Sequence, residues 1–302
     1  MIKTLVIGSK GFIGSHLFKS LSAQGEFEVW GSDVVYDYTS HNYFVIDASN
    51  SDFEEIFEVN QFEFCINCSG SASVPDSLIH PLRDFYLNTV NVFKLLEAIR
   101  KYSPKCKFLN ISSAAVYGNP VVMPITENAD LRPLSPYGQH KLQAENICME
   151  FHLFHQLKTC SVRIFSAYGR DLKKQVFWDI AQKSIKSKKM TLFGTGEESR
   201  DFIHVDDIVY GIECILKKGE YDGAVYNLAN SIEVTIADAA AELLNSLGWQ
   251  GELTFTGQSR KGDPLKWRAD ITRLKALGYE QKISISEGLK DYVKWLKEEK
   301  LV

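Results

Sequence analysis

Short apolar segments alternate with longer amphipathic segments through the first half of the chain. The apolar runs predict strands at 2–7, 28–33, 43–46, 62–67, 106–111 and 159–165. Apolar positions repeating every three or four residues predict helices at 12–23, 51–59, 82–101, 136–156 and 174–186. A regular alternation of strands and helices predicts an α/β fold, in which helices cover both faces of a parallel sheet.

Beyond about residue 166 this alternation becomes less regular. The segments 194–198 and 260–264 are rich in glycine and polar residues and predict loops, and further helices are predicted at 206–216, 235–247 and 285–298. We therefore expect two parts. Residues 1–165 form the doubly wound parallel sheet, and residues 166–302 form mainly a smaller C-terminal lobe, from which some segments return to the first domain.

Composition narrows the classes of partner. The net charge of −4 over 302 residues shows no basic excess, so we expect no nucleic-acid partner. No apolar run approaches the roughly 20 residues that a membrane-spanning helix needs, so we expect no membrane association. The apolar segment 1–7 is short and continues directly into a glycine-rich turn, which favours a buried strand over an export signal and a cytoplasmic location.

The glycine-rich turn between the first strand and the first helix predicts a dinucleotide site. Glycines in this position let backbone N–H groups approach a pyrophosphate at the helix N-terminus. Asp33 ends the second strand, where a carboxylate accepts hydrogen bonds from ribose hydroxyls and repels a 2′-phosphate, so we expect NAD rather than NADP. The contacts of the turn are predicted for Gly8, Gly11, Phe12, Ile13 and Gly14.

A tyrosine and a lysine lie four residues apart in a predicted helix. Tyr137 and Lys141 therefore share one helix face. A phenol has a pKa near 10 and is a poor base at neutral pH unless a nearby cation lowers that value. The pair alone is common in helices. Together with the glycine-rich turn, it indicates a nucleotide cofactor and a tyrosine base.

Further segments resemble those of a known family. Residues 111–118, 135–141, 163–169 and 200–207 are similar to motifs of the extended short-chain dehydrogenases/reductases, in the NAD-dependent sugar epimerase/dehydratase family, and the resemblance covers nearly the whole chain. It implies a Rossmann-type sheet with a C-terminal substrate-binding lobe, NAD as cofactor, a nucleotide-sugar substrate, and a homodimer. It also implies a place in the synthesis of bacterial surface polysaccharides.

The resemblance also implies roles for individual residues. Ser113, Tyr137 and Lys141 correspond to the catalytic set, in which Tyr137 and Lys141 also contact the cofactor. Ser166 stands where the family has an asparagine, and Arg170 where it has a proline. Further cofactor contacts are implied for Asp47, Ala48, Ser69, Gly70, Ser71 and Asn88, and substrate contacts for Ser113, Tyr137, Ser166, Arg200, Arg260 and Asp263.

Several reactions share this catalytic set. Family dehydratases carry an acidic pair directly after the catalytic serine, whereas this chain has Ala114 and Ala115, which argues against a 4,6-dehydratase. We expect a nucleotide-sugar 4-epimerase that acts on an NDP-hexose through a transient 4-keto intermediate. The alternatives are an NAD(P)H-dependent reductase of an NDP-4-keto-6-deoxyhexose and, from another class, a non-catalytic dinucleotide sensor.

Other residues near these motifs receive simpler interpretations. Tyr117 is expected to be an active-site wall residue, and His140 to face outward from its helix. Cys65 and Cys68 form a C-x-x-C without a second such pair, so we interpret them as buried thiols and expect no metal site.

Overall fold

The computed structural model describes residues 1–48, 50–258, 262 and 264–302. Its strands are β1 (Ile2–Ile7), β2 (Phe27–Asp33), β3 (Tyr43–Val45), β4 (Phe64–Asn67), β5 (Lys107–Ser113), β6 (Lys158–Ile164), β7 (Ser166–Tyr168), β8 (Lys189–Leu192), β9 (Ser199–Arg200), β10 (Phe202–His204), β11 (Asp222–Leu228), β12 (Val234–Thr235) and β13 (Glu252–Phe255). Its α-helices are α1 (Phe12–Ala23), α2 (Glu54–Glu58), α3 (Val74–Ile79), α4 (Pro81–Phe85), α5 (Asn91–Tyr102), α6 (Pro136–His155), α7 (Gln175–Ser184), α8 (Val205–Lys218), α9 (Ile236–Leu247), α10 (Thr272–Ala276) and α11 (Ile285–Glu298). A π-helical segment, Tyr86–Val90, joins α4 to α5, and a 3-10 turn, Ala114–Val116, follows β5.

Seven strands form one parallel sheet in the order β11-β6-β5-β4-β1-β2-β3. The chain builds outward from β1 through β2 to β3 and then crosses to the other side of β1 to add β4, β5, β6 and β11. In such a sheet, ligands bind in the crevice at the carboxyl ends of the strands where the order reverses. Here that crevice lies beyond the ends of β1 and β4.

Apolar side chains on the two faces of the sheet form separate cores. Strand β1 shows the alternation, because Val6 belongs to one buried cluster while Leu5 and Ile7 belong to the other. The first cluster includes Leu17 from α1, and the second includes Leu95 from α5. Burial on both faces explains why the sheet strands are continuous apolar runs in the sequence. The predicted α/β, Rossmann-type fold is confirmed.

The C-terminal lobe has its own apolar cluster, formed mainly by side chains from α7, α9 and α11. Three two-stranded pairs, β7 with β10, β9 with β12, and β8 with β13, connect these helices. Strand β11 leaves the lobe and joins the main sheet beside β6. The sequence analysis missed β11, because its apolar stretch is only a few residues long and follows Gly223. None of the helices built from the described residues is both long and apolar enough to cross a lipid bilayer.

The helix predicted over 82–101 is interrupted in the structure. It comprises α4, the π-helical segment and α5. A π-helical turn adds one residue to the hydrogen-bonded ring and so rotates the side chains that follow it. The amphipathic pattern predicted the helix but not the wider turn.

Candidate active site

The glycine-rich turn after β1 forms a tight backbone cradle. Gly8 has a φ of +78°, and a Cβ there would lie 2.7 Å from the Ser69 backbone nitrogen. A Cβ on Gly14 would lie 2.1 Å from the Gly8 carbonyl oxygen, so neither position accepts another residue without a backbone shift. Gly11 starts α1 and no side chain caps the helix. The first N–H groups of α1 are therefore oriented toward the crevice without a side-chain acceptor, as a pyrophosphate site requires.

Asp33 is fixed at the end of β2 beside this cradle. Its Oδ2 accepts a hydrogen bond from the Lys10 backbone nitrogen at 2.9 Å, and its Oδ1 accepts one from the Val34 nitrogen at 2.7 Å. Asp47 and Ala48 are exposed just beyond β3, on the same edge of the sheet. These positions fit the adenosine end of a dinucleotide.

The loop after β4 continues the cradle toward the reactive end of the site. Gly70 has a φ of +112°, and a Cβ there would lie 2.4 Å from Asn88 Oδ1. Asn88 Nδ2 donates to the Ser71 carbonyl at 3.1 Å, while Asn88 Oδ1 is buried without a hydrogen-bond partner within the described residues. Ser69 is held by a 2.6 Å hydrogen bond from its hydroxyl to Asn67 Oδ1. Asn88 Oδ1 is thus an unpaired buried acceptor beside a glycine cradle, where a bound dinucleotide would supply the missing hydrogen bond. These residues therefore fit NAD.

The three predicted catalytic residues come together at the end of β5 and the start of α6. Ser135 caps α6 by accepting a hydrogen bond from the Gly138 nitrogen at 3.2 Å, and a proline follows in the first turn. This start places Tyr137 and Lys141 on the buried face of α6. The Ser113 side chain lies near the Tyr137 hydroxyl and favours its ionisation, and Lys141 Nζ donates to the Ile111 carbonyl at 2.9 Å.

Burial shifts both ionisable groups toward their neutral forms. It raises the pKa of Tyr137 to about 12, opposed by the nearby Ser113 side chain and reinforced by the charge of Asp84. Burial lowers the pKa of Lys141 to about 8, opposed mainly by the charge of Asp84. The protein alone therefore holds a neutral phenol beside a lysine that titrates near neutral pH, and the ionisation of the pair is sensitive to nearby charge.

Two of the predicted substrate residues lie on the lobe side of the crevice. Ser166 begins β7 two residues beyond Ile164, which is the β6 neighbour of Ser113 in the sheet. Arg200 lies on β9, with its guanidinium carbon 5.6 Å from the centre of the Trp267 ring. The other two predicted residues, Arg260 and Asp263, lie outside the described residues.

The structure corrects two interpretations. Tyr117 is fully buried, where its hydroxyl donates to Asn227 Oδ1 at 2.7 Å and accepts from Arg163 Nη1 at 2.8 Å, so it is not a wall of the crevice. His140 does not face outward. Its side chain is 12% exposed, and Nδ1 lies 2.6 Å from Asp84 Oδ2.

Two buried carboxylates near the catalytic residues were not predicted from the sequence, Asp84 of α4 and Glu145 of α6. Asp84 pairs with His140, and Glu145 pairs with Arg163 and Ser112. A signal was present in the sequence, because both acids occupy the buried face of otherwise amphipathic helices. Such positions are depleted in charge unless the charge is paired.

The cysteines play no visible part in this site. All six are free, and burial raises the pKa of Cys65 well above its usual range and that of Cys68 to about 12. Within the part of the chain that the structure describes, no three His, Cys, Asp or Glu side chains are grouped so as to hold a metal ion.

Comparisons with known proteins agree with this arrangement. The sequence model of the NAD dependent epimerase/dehydratase family matches residues 4–229. The crystal structure of a Bacillus cereus UDP-glucuronic acid 4-epimerase, in complex with UDP-glucuronic acid and NAD, is 26% identical with a TM-score of 0.89, covering 98% of this chain and 99% of that one. A Thermotoga maritima UDP-glucose 4-epimerase with UDP-glucose is 28% identical with a TM-score of 0.87, covering 99% of each chain. UDP-glucuronic acid decarboxylase 2 of Arabidopsis thaliana is 27% identical, over 97% of this chain and 68% of that protein.

Proposed function

Because the chain belongs to the NAD-dependent epimerase/dehydratase family, we propose that it is a nucleotide-sugar 4-epimerase that uses NAD. The observation that carries the proposal is the meeting of Ser113, Tyr137 and Lys141 beside the glycine cradle, with Ala114 and Ala115 where a dehydratase carries an acidic pair. The 4-epimerases among its solved neighbours cover nearly the whole chain at TM-scores of 0.87 and 0.89.

The roles follow from the contacts of each side chain. The chemistry supplied by bound NAD is the reversible acceptance of a hydride from C4 of the sugar. Tyr137 takes the proton of the C4 hydroxyl and later returns it, Ser113 hydrogen-bonds the same oxygen and orients it, and Lys141 places a positive charge beside the phenolate. An epimerase needs no further acid or base, because the hydride returns to the other face of the same carbon.

The residues after Ser113 argue against elimination. Ala114 is fully buried and Ala115 is half-buried, and neither can exchange a proton with a sugar. A 4,6-dehydratase must protonate a leaving hydroxyl and remove a proton from the adjacent carbon. The described residues therefore favour the epimerase over the dehydratase.

We assign the predicted substrate residues to different parts of the nucleotide sugar. We assign Ser166, near the end of β6, to the sugar and Arg200 to the diphosphate, for which a guanidinium offers paired donors. We assign Arg260 and Asp263 to the diphosphate and nucleotide ribose on the sequence motif alone, because they lie outside the described residues.

We also propose that the enzyme is a cytoplasmic homodimer. Its six free thiols are typical of a reducing compartment. The outer surface of α4, the π-helical segment, α5 and α6 exposes large apolar side chains. Sedimentation equilibrium should give twice the mass of one chain. The exposed apolar side chains of these segments include Leu82, Tyr86, Phe93, Met149, Leu153 and Phe154.

The activity is tested by proton NMR with a panel of UDP-hexoses and UDP-glucuronic acid, without added cofactor. We expect one sugar nucleotide to convert to its 4-epimer until equilibrium is reached. Consumption of added NADH only with a 4-keto-6-deoxy sugar nucleotide would establish a reductase instead. Release of carbon dioxide from UDP-glucuronic acid would establish a decarboxylase.

The same assay tests the assigned base. Tyr137→Phe should lower turnover by at least about 100-fold, because general base catalysis typically contributes that much, while NAD binding remains. The matched control is Tyr38→Phe, which changes an exposed tyrosine and should leave turnover unchanged. If Tyr137→Phe retains activity within tenfold of the parent enzyme, Tyr137 is not the base.

A further inference from the structure

Asp84 is a buried carboxylate beside the catalytic residues with an incomplete set of partners. Its side chain is fully buried, and its Oδ2 lies 2.6 Å from His140 Nδ1. Its Oδ1 is also buried and has no hydrogen-bond partner within the described residues. A buried charge that is only half satisfied lowers stability, so its presence calls for an explanation other than packing.

Asp84 lies in α4, just before the π-helical segment, and both segments pack against α6. Asp84 and Thr89 are buried polar residues that contact His140 of α6. The Thr89 hydroxyl donates to the His140 carbonyl at 3.1 Å, which fixes the two helices against each other. Single π-helical turns often occur at functional sites, because they re-aim side chains within a helix.

His140 holds the carboxylate from the other side. It lies between Tyr137 and Lys141 in the sequence of α6, and its ring packs edge-on against Phe85 at 5.4 Å. This contact and the hydrogen bond to Asp84 fix the ring in one orientation. His140 therefore determines where the charge of Asp84 lies relative to its two neighbours in α6.

Few other charged groups affect the ionisation of Tyr137 and Lys141. The charges and ionisable groups that act on Lys141 are Asp84 from α4, Glu145 and Cys148 from α6, and Cys68 after β4. Those thiols are buried and neutral, and the Glu145 carboxylate is already bound to the Arg163 guanidinium. Among the described residues, Asp84 supplies the charge that raises the pKa of Tyr137, and Ser113 lowers that pKa. On its own helix, Arg83 is turned to the surface and pairs with Asp76.

We propose that Asp84, held by His140, is a positioning residue whose carboxylate sets the ionisation of Tyr137 and Lys141 and thereby the pH range in which the site works. The proposal rests on the proposed function for its effect on turnover, and its effect on the two side chains stands independently. The carboxylate keeps Lys141 protonated in a buried site. The same charge disfavours the Tyr137 phenolate, so this phenol ionises only at a higher pH.

The sign of the effect follows from the charge. A nearby carboxylate raises the pKa of both groups, because it disfavours the phenolate and favours the ammonium. The active form needs an ionised Tyr137 and a protonated Lys141, so the pKa values of these two groups bound the pH range of turnover. Removing the charge with Asp84→Asn should therefore move both limbs of the pH profile of kcat/KM to lower pH. We expect a shift of about one unit for the loss of one nearby charge.

A second readout does not depend on turnover. Tyrosine labelled with carbon-13 at Cζ reports ionisation of each phenol by NMR, and the resonance that disappears in Tyr137→Phe belongs to Tyr137. With NAD bound, we expect Asp84→Asn to lower the titration midpoint of that resonance by about one pH unit. If Asp84→Asn fails to fold, Asp84→Ser removes the same charge, still accepts a hydrogen bond from His140, and should shift the midpoint in the same direction.

The matched control is Asp76→Asn, which removes a carboxylate from the neighbouring helix α3 at the surface. It should leave the Tyr137 midpoint unchanged. An unchanged midpoint in Asp84→Asn, an equal shift in Asp76→Asn, or a loss of activity at all pH values without movement of either limb would overturn the proposal. A shifted midpoint in a protein that converts no sugar nucleotide would refute the proposed function and leave this inference standing.

Discussion

Lys141 of helix α6 lies near two buried carboxylates, Glu145 and Asp84. The two differ in how completely their oxygens are hydrogen-bonded. Glu145 accepts a 2.5 Å hydrogen bond from the Ser112 hydroxyl and bonds from Arg163 Nε and Nη2 at 3.0 and 2.7 Å. Asp84 has one short contact to His140 and one unpartnered oxygen within the described residues. Both carboxylates are buried, and both raise the pKa of Lys141.

The difference indicates what each carboxylate does. Glu145 joins β5, α6 and β6 through a closed network, in which Arg163 continues to Tyr117 and from there to Asn227 on β11. Its charge is balanced by the guanidinium, so its role is structural. Asp84 is balanced less completely, and its field therefore extends to the catalytic pair. A satisfied buried charge holds the fold together, whereas a partly satisfied one is available to act on its neighbours.

The largest expected effect comes from neutralising the satisfied carboxylate. Glu145→Gln leaves the Arg163 guanidinium buried without a counter-charge, so the free energy of unfolding should fall by about 3–5 kcal/mol. Urea denaturation of the two proteins measures this difference. A loss below about 1 kcal/mol would mean that the pair does not stabilise the sheet in the way its geometry indicates.

The next effect concerns the lysine between the two carboxylates. The pKa of Lys141 is lowered from 10.5 to about 8 by burial, so below pH 8 the folded protein must hold a buried charge that the unfolded chain solvates freely. In the protein without NAD, Lys141→Met should therefore raise stability by up to about 3 kcal/mol at pH 7, at about 1.4 kcal/mol per unit of pKa shift.

This advantage has a defined pH window. As the pH rises from about 8 to 10.5, Lys141 becomes neutral in the folded protein before it does so in the unfolded chain, so the parent protein gains stability relative to Lys141→Met. Urea denaturation at pH 7 and pH 10 should show the gap closing. A gap that stays constant with pH would contradict the assigned cause.

The smallest expected effect is that of the second carboxylate on stability. Asp84→Asn removes a buried charge and keeps an acceptor for His140, so the free energy of unfolding should change by less than about 1 kcal/mol. The comparison with Glu145→Gln is matched, because each change converts one buried carboxylate into its amide. Equal losses in the two variants would show that Asp84 is as structural as Glu145.

Local pattern was sufficient for much of the fold and for part of the site. The strands that build the sheet from β1 to β6, the glycine turn and the helix carrying Tyr137 and Lys141 were all predictable, because each depends on apolar periodicity or on a short run of neighbouring residues. The predicted family and fold are confirmed. Strand β11 was missed, because a short apolar stretch after Gly223 becomes a strand only when β6 offers an edge.

Other features depend on contacts that no local pattern encodes. The interpretation of His140 as an outward residue was wrong, because the partner that buries it lies 56 positions earlier in the chain. Tyr117 was wrongly interpreted for the same reason, since its partner Asn227 is 110 positions away. The assigned roles of all the site residues, whether catalytic, cofactor-binding or substrate-binding, stay predictions.

By itself the sequence determined the parallel sheet and predicted the dinucleotide cradle and the tyrosine base, because these features depend on residues that are close together along the chain. Only the tertiary structure decided the surroundings that shift the ionisation of that proposed base. The ionisation of Tyr137 and Lys141 depends on burial and on charges that lie within a few ångströms in space, and the carboxylates that supply those charges come from α4 and from another turn of α6. Electrostatic energy depends on distance and on the surrounding dielectric, and folding sets both.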